Sequence, residues 1–138
     1  MARALRLLAQ REYSRVELGR KLARHASSEE ELLALMAELE ARRYLSEERF
    51  AESLVRRHLT RYGNAFIRQS LAQHQLPDAL IEQASASLKH SEEERARALW
   101  ERRFGSVSRD PKERLRQMRF LADRGFPHEL ICRIVRED

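Results

Sequence analysis

At 138 residues the chain is one domain's worth, long enough to bury a core if compact and to bury less of its surface if drawn out into a row of units. Charged residues make up 36% and hydrophobic residues 42%, a helix-rich profile that argues against disorder. The 27 basic residues outnumber 22 acidic ones, for a net charge of +5; the excess points to an anionic partner, but patches must matter more than the total.

The opening stretch "MARALRLLAQREYS" lacks a long apolar region and a small-residue cleavage site, so it reads as the first helix, residues 2 to 11, rather than a leader or a membrane anchor. Ser14-x-x-Glu17 fits a capping box and opens a second helix over 14 to 25, with Gly19 inside it at a cost of about 1 kcal/mol relative to alanine unless another backbone packs there. Ser28-x-x-Glu31 opens a third over 28 to 42, on which Leu32, Leu35, Met36 and Leu39 share a face. The fourth, over 46 to 61, lines up Phe50, Leu54, Val55, Leu59 and Tyr62. Gly63 follows it directly, as Gly105 and Gly125 follow later helices, where a left-handed residue closes a helix without steric cost. Helices over 64 to 74 and 77 to 89 come next. Ser91-x-x-Glu94 fits a third capping box for a helix over 91 to 104. Asp110-Pro111 supplies a cap and a first-turn proline for 111 to 124, and a last helix covers 127 to 137. No alternating strand pattern competes.

The nine helices form three sets of three. Laying "ERFAESLVRR" (48 to 57) over "ERARALWERR" (94 to 103) aligns Arg49 with Arg95, Leu54 with Trp100, and the pair Arg56-Arg57 with Arg102-Arg103. "LAQHQLPDALI" (71 to 81) lies over "LADRGFPHELI" (121 to 131), with the extra residues of the later copy placed in the loop "GSVSRD". The first set, with "KLARHASSEEELL" at its turn, is a looser copy. A period near 45 residues, each unit unable to bury its face alone, predicts an all-α fold: a short, elongated and curved solenoid with repeats at 1–45, 46–90 and 91–138.

Several of these stretches resemble a known family. "ALRLLAQREYSRVELGRKL", "ELEARRYLSEERFAESLVRR", "GNAFIRQSLAQ" and "RFGSVSRDPKERLRQMRFLADRGF" are similar, in order and spacing, to the successive signatures of the RecX family, bacterial regulators of the RecA recombinase. The resemblance runs from Ala4 to Val135. It implies a crescent of three-helix repeats and a cytoplasmic, usually inhibitory regulator. In that family the protein lies in the groove of the RecA filament on single-stranded DNA and limits filament growth, ATPase, strand exchange and coprotease activity.

The residues themselves offer no catalytic constellation. His25, His58, His74, His90 and His128 are scattered, and His128 with the single cysteine, Cys132, at i and i+4 makes at most half a metal site. One cysteine also excludes an internal disulfide framework and fits a reducing cytoplasm. The four glycines are isolated, so no phosphate loop exists, and the runs Glu29-Glu30-Glu31 and Glu92-Glu93-Glu94 sit in first helical turns, where negative charge complements the dipole. Trp100 and Phe120 are candidates for base stacking, but both fall on apolar helical faces, which favours core packing. The expectation is a non-enzymatic, monomeric binding protein without metal or cofactor and without a membrane segment.

The arginines are the candidate site. Only Lys21, Lys89 and Lys112 are lysines, which leaves 27 − 3 = 24 arginines. Arg56, Arg57, Arg102 and Arg103 recur at equivalent points of two repeats, and Arg61, Arg68, Arg119 and Arg124 lie on the helices that follow, so a stack is expected to align them on one edge. Guanidinium forks bind carboxylates and phosphates bidentately, which suits a filament made of both. A rival reading is a DNA-binding protein that acts without RecA, because "IRQSLAQHQLPDALIEQA" resembles a helix-turn-helix. Its second helix begins with Asp78 and Glu82 and offers only Lys89 as a base, which argues against major-groove readout. Sequence-independent contact with single- or double-stranded DNA through the arginine edge stays open.

Overall fold

Local capping chemistry sets most of the helix boundaries. The computed structural model describes residues 1–136, and among them the regular structure is helical throughout: α1 (Ala2–Gln10), α2 (Arg15–Ala23), α3 (Glu29–Ala41), α4 (Glu47–His58), α5 (Asn64–Gln73), α6 (Asp78–Ser85), α7 (Glu92–Arg103), α8 (Pro111–Asp123) and α9 (His128–Arg136). The last residue expected for α9, 137, lies outside the described residues, as does 138. Ser14 Oγ accepts from the Glu17 amide and Ser28 Oγ from the Glu31 amide, both at 3.1 Å, and Asp110 accepts from Lys112 ahead of Pro111. Ser46, not anticipated as a cap, does the same for Arg49.

Three local expectations are corrected. Ser91 does not cap α7: its backbone is helical and its hydroxyl accepts from Arg95 Nε at 3.0 Å. Helix α6 stops at Ser85, and a single 3-10 turn, Ala86–Leu88, carries the chain on to the next repeat. Gly63 is not a left-handed helix end. Its φ is −79°, and it is the N-cap of α5. Gly105 and Gly125 do take left-handed φ values of 80° and 89°, and so do Arg43 and Gln75, at 63° and 56°, without glycine. At Gly125 the Phe126 amide bonds Leu121 O and the Gly125 amide bonds Ala122 O, the paired bonds of a Schellman closure.

Each triplet has its own core. Ala4, Tyr13, Leu18, Leu22, Met36, Leu39 and Leu45 form the first, where α2 packs on both α1 and α3. Phe50, Leu54, Val55, Ile67, Leu71, Leu76 and Leu88 belong to the second, and Leu99, Trp100, Leu121, Phe126, Leu130, Ile131, Ile134 and Val135 to the third; in these two, all three helices pack on one another. Separate cores in a row bury less than one shared core. The accessible surface is 9212 Å², against roughly 7,500 Å² for a compact protein of this mass, as an elongated stack of three repeats requires.

Equivalent positions join the repeats, through different atoms. In α4, Arg49 donates to Glu12 in the α1–α2 loop of the preceding repeat, and in α7 Arg95 donates to Leu59 O and Tyr62 O in the α4–α5 loop. Where the second helices meet, Ser14 Oγ lies 2.9 Å from His74 Nδ1, and the Gly63 amide donates to Arg124 O at 2.7 Å. The second joint is backbone against backbone. A Cβ on Gly63 would sit 2.4 Å from Gly125 O, and one on Gly125 would sit 2.7 Å from Phe66 Cβ, so both positions demand glycine.

Candidate binding groove

The Gly63–Gly125 contact positions the site, because it holds the end of the α4–α5 loop against the end of α8. Arg61 and Tyr62 immediately precede one glycine and Arg124 precedes the other. The last turn of α7 adds Arg102 and Arg103, and α8 adds Phe120. Together with Thr60 and Leu99 these residues line an open groove of about 590 Å³ that contains no carboxylate.

Its arginines are held in place rather than neutralised. Arg124 lies over the rings of both Tyr62 and Phe120, at 5.4 and 5.0 Å, and donates to Arg61 O at 3.4 Å. Arg103 lies over Phe120 at 5.2 Å, and Arg102 donates to Thr60 O at 3.1 Å. Behind them Tyr62 stacks on Phe66, with centroids 3.8 Å apart and planes 9° from parallel, and His58 meets both rings edge-on. Burial, helped by the charges of Arg57 and Arg61, pushes the His58 pKa below its ordinary value, so this imidazole favours its neutral form beside the groove. Three guanidinium groups held by rings and carbonyls, with Arg61 beside them and no carboxylate among the lining groups, are arranged to take phosphates or carboxylates from outside.

The eight arginines singled out in the sequence therefore separate. Arg61, Arg102, Arg103 and Arg124 converge on the groove. Arg57 is exposed; burial lowers the pKa of His74, and the charge of Arg57 adds to that shift. Arg56 and Arg119 are exposed and make no hydrogen bond or ion pair among the described residues. Arg68 instead donates to Glu82 at 2.7 Å across α5 and α6. Arg49 and Arg95, aligned in the sequence, clasp the repeats together. Burial lowers the Arg95 pKa, against a smaller opposing effect of Glu92, and that partly buried charge is used to hold two carbonyls with Nη1.

Trp100 is core, its Nε1 donating to Gln117 Oε1 at 3.1 Å. Phe120 divides its ring: it meets Phe104 edge-on at 5.4 Å within the third core and presents its remainder to the groove. Among the described residues no three metal-ligating side chains come together; Cys132 Sγ lies 3.3 Å from His128 Nε2, and that pair stands alone. The helix-turn-helix candidate ends in an α6 of only 8 residues whose Glu82 is taken by Arg68. No described helix is long and apolar enough to cross a membrane.

Known proteins resemble this chain in both sequence and fold. Residues 46–84 match the family described as RecX, second three-helix domain, and residues 91–135 match RecX, third three-helix domain. The "Regulatory protein RecX" of Ralstonia nicotianae is 48% identical over 134 residues, covering 97% of this chain and 84% of that protein. That of Herminiimonas arsenicoxydans is 49% identical over 131 residues, with coverage of 94% and 86%. Among solved structures, RecX from Lactobacillus salivarius superposes with a TM-score of 0.78 at 20% identity, over 98% of this chain and 91% of the other.

Proposed function

Because the chain belongs to the RecX family of regulatory proteins, we propose that it regulates RecA by lying in the groove of the RecA filament on single-stranded DNA. In this reading it acts in the cytoplasm as a monomer and limits filament growth, with lower ATPase, strand exchange and coprotease activity as the consequences. It does so by occupancy rather than by chemistry of its own.

The observation that carries the reading is the groove between the second and third repeats, where Arg61, Arg102, Arg103 and Arg124 gather without a carboxylate in the lining. A RecA filament offers side-chain carboxylates and DNA phosphates, and planar guanidinium forks pair with both. Arg56, Arg57 and Arg119, exposed on neighbouring turns, extend the contact; Arg68 joins it only by giving up Glu82.

The test is the single-stranded-DNA-dependent ATPase of RecA, measured with substoichiometric amounts of this protein. Lower turnover, with a plateau reached well below one molecule per RecA subunit, is the expected result. Unchanged turnover, together with retained binding to bare DNA, would favour the rival reading of a sequence-independent DNA-binding protein that acts without RecA.

A further inference from the structure

The net charge of the chain is not where the groove is. Residues 1–26 hold seven basic and two acidic residues, 7 − 2 = +5, and residues 27–138 hold the remaining 20 of each, so the first two helices carry the whole excess. Helix α1 has no acidic residue, and Glu17, the one in α2, is gripped by Arg11 through two bonds of 2.9 and 3.1 Å.

Between α1 and α2 this excess surrounds an open hollow of about 380 Å³ lined by Arg3, Leu7, Arg20, Lys21, Arg24 and His25. None of its cations pairs with a carboxylate among the described residues. Arg11, Arg15, Arg42, Arg49, Arg68, Arg116 and Arg133, by contrast, each hold a glutamate. Four cations from two helices without a carboxylate partner give the hollow a local positive field that attracts anions.

We propose that this hollow is a second nucleic-acid site, one that takes consecutive phosphates of a strand and is independent of the groove between the second and third repeats. Three features select the ligand. No Phe, Tyr or Trp ring lines the hollow to stack on bases, so it grips the backbone and leaves the bases unread. It is open, and it mixes guanidinium, ammonium and imidazole donors, which suits a flexible chain delivering about one charge per 3.4 Å better than a single carboxylate on a folded partner. A membrane surface is disfavoured because Leu5, Leu7 and Leu8, the apolar side of α1, already pack against the first core. With its two anion sites at different repeats, the protein holds two stretches of strand at once.

The site needs no RecA, so it is tested on DNA alone, and its failure leaves the filament reading untouched. The probes are a short labelled oligothymidylate and an abasic strand of equal length, titrated by fluorescence anisotropy over a range of salt. Arg20→Ala/Arg24→Ala, two exposed residues without a side-chain hydrogen bond, is expected to weaken abasic-strand binding by about tenfold and to lower the salt slope by about 1.4, at about 0.7 per lost phosphate contact. Arg102→Ala/Arg103→Ala is expected to leave the abasic strand bound within about twofold, since the hollow is untouched. An unchanged affinity and slope in a folded Arg20→Ala/Arg24→Ala protein would overturn the proposal. So would equal losses from both variants, which would mean one continuous site. Inorganic tripolyphosphate serves as the small-anion arm: saturable binding tighter than that of the abasic strand would assign the hollow to a free polyphosphate instead.

Discussion

Replacing Gly63 with alanine tests the joint that builds the groove. The new Cβ would lie 2.4 Å from Gly125 O, 2.6 Å from Gly125 C and 2.8 Å from Phe126 N, all backbone atoms that cannot swing aside. Ordinary contact begins near 3.4 Å, so the loops must part by about 1 Å. That separation stretches the 2.7 Å bond from the Gly63 amide to Arg124 O beyond hydrogen-bonding range. A buried amide left without its partner costs about 1–3 kcal/mol, and the packing of Phe66 on Gly125 adds about 1 kcal/mol. The expected loss is therefore about 2–4 kcal/mol, a large part of the roughly 5–15 kcal/mol that holds a domain of this size together. Urea denaturation followed by circular dichroism reads it as a lower midpoint, or as a third repeat that melts ahead of the others. Gly19→Ala is the control: it lies inside α2, nothing stands within 4 Å of its Cβ, and it should gain about 0.5–1 kcal/mol. A Gly63→Ala protein with an unchanged midpoint would refute the close seating of the second and third repeats.

Arg95→Ala should lose about 1–3 kcal/mol by stranding Leu59 O and Tyr62 O, and Arg95→Lys should recover little because one ammonium cannot hold those carbonyls and also reach Ser91 and Asn64, as Nε and Nη2 do; full recovery by lysine in urea midpoints would contradict the clasp. Stability should also depend on pH. Burial, as the largest cause, lowers the pKa of both His58 and His74 in the fold, so below the unfolded value near 6.5 the unfolded chain binds protons that the native one refuses. Urea midpoints should hold steady above about pH 7 and fall as the pH drops through 6.5 toward the native values, and a midpoint that rises over that range would oppose the reading.

Much of this architecture is written locally and was legible as such. Asp110-Pro111 and the serines at 14 and 28 mark helix starts because a cap needs only three or four consecutive residues. The apolar faces of α3 and α4 became core because helical period alone fixes them. What sequence reasoning missed depends on partners distant in the chain. Gly63 has the look of a helix end, yet its need for glycine comes from Gly125, 125 − 63 = 62 residues away. Gln75 takes the left-handed conformation that glycine takes at the equivalent position 125, so composition gave no signal there. The alignment of Arg49 with Arg95 did signal a shared role, but clasping and ligand binding look alike in a sequence. For the same reason Arg68, tied to Glu82, could not be separated from Arg102 and Arg103 before the fold was known.

The proposed contact between the groove arginines and the RecA filament rests on their charge. Its most direct test titrates wild-type and Arg102→Glu/Arg103→Glu protein against preformed RecA filaments on single-stranded DNA, with circular dichroism confirming the fold. Exposed charges contribute about 0–1 kcal/mol each to stability, so helicity and melting should barely change. Filament binding and ATPase inhibition should both fall sharply, because reversing two charges turns attraction into repulsion. Full inhibition by the folded double variant would contradict the account and reduce the groove to a solvated face.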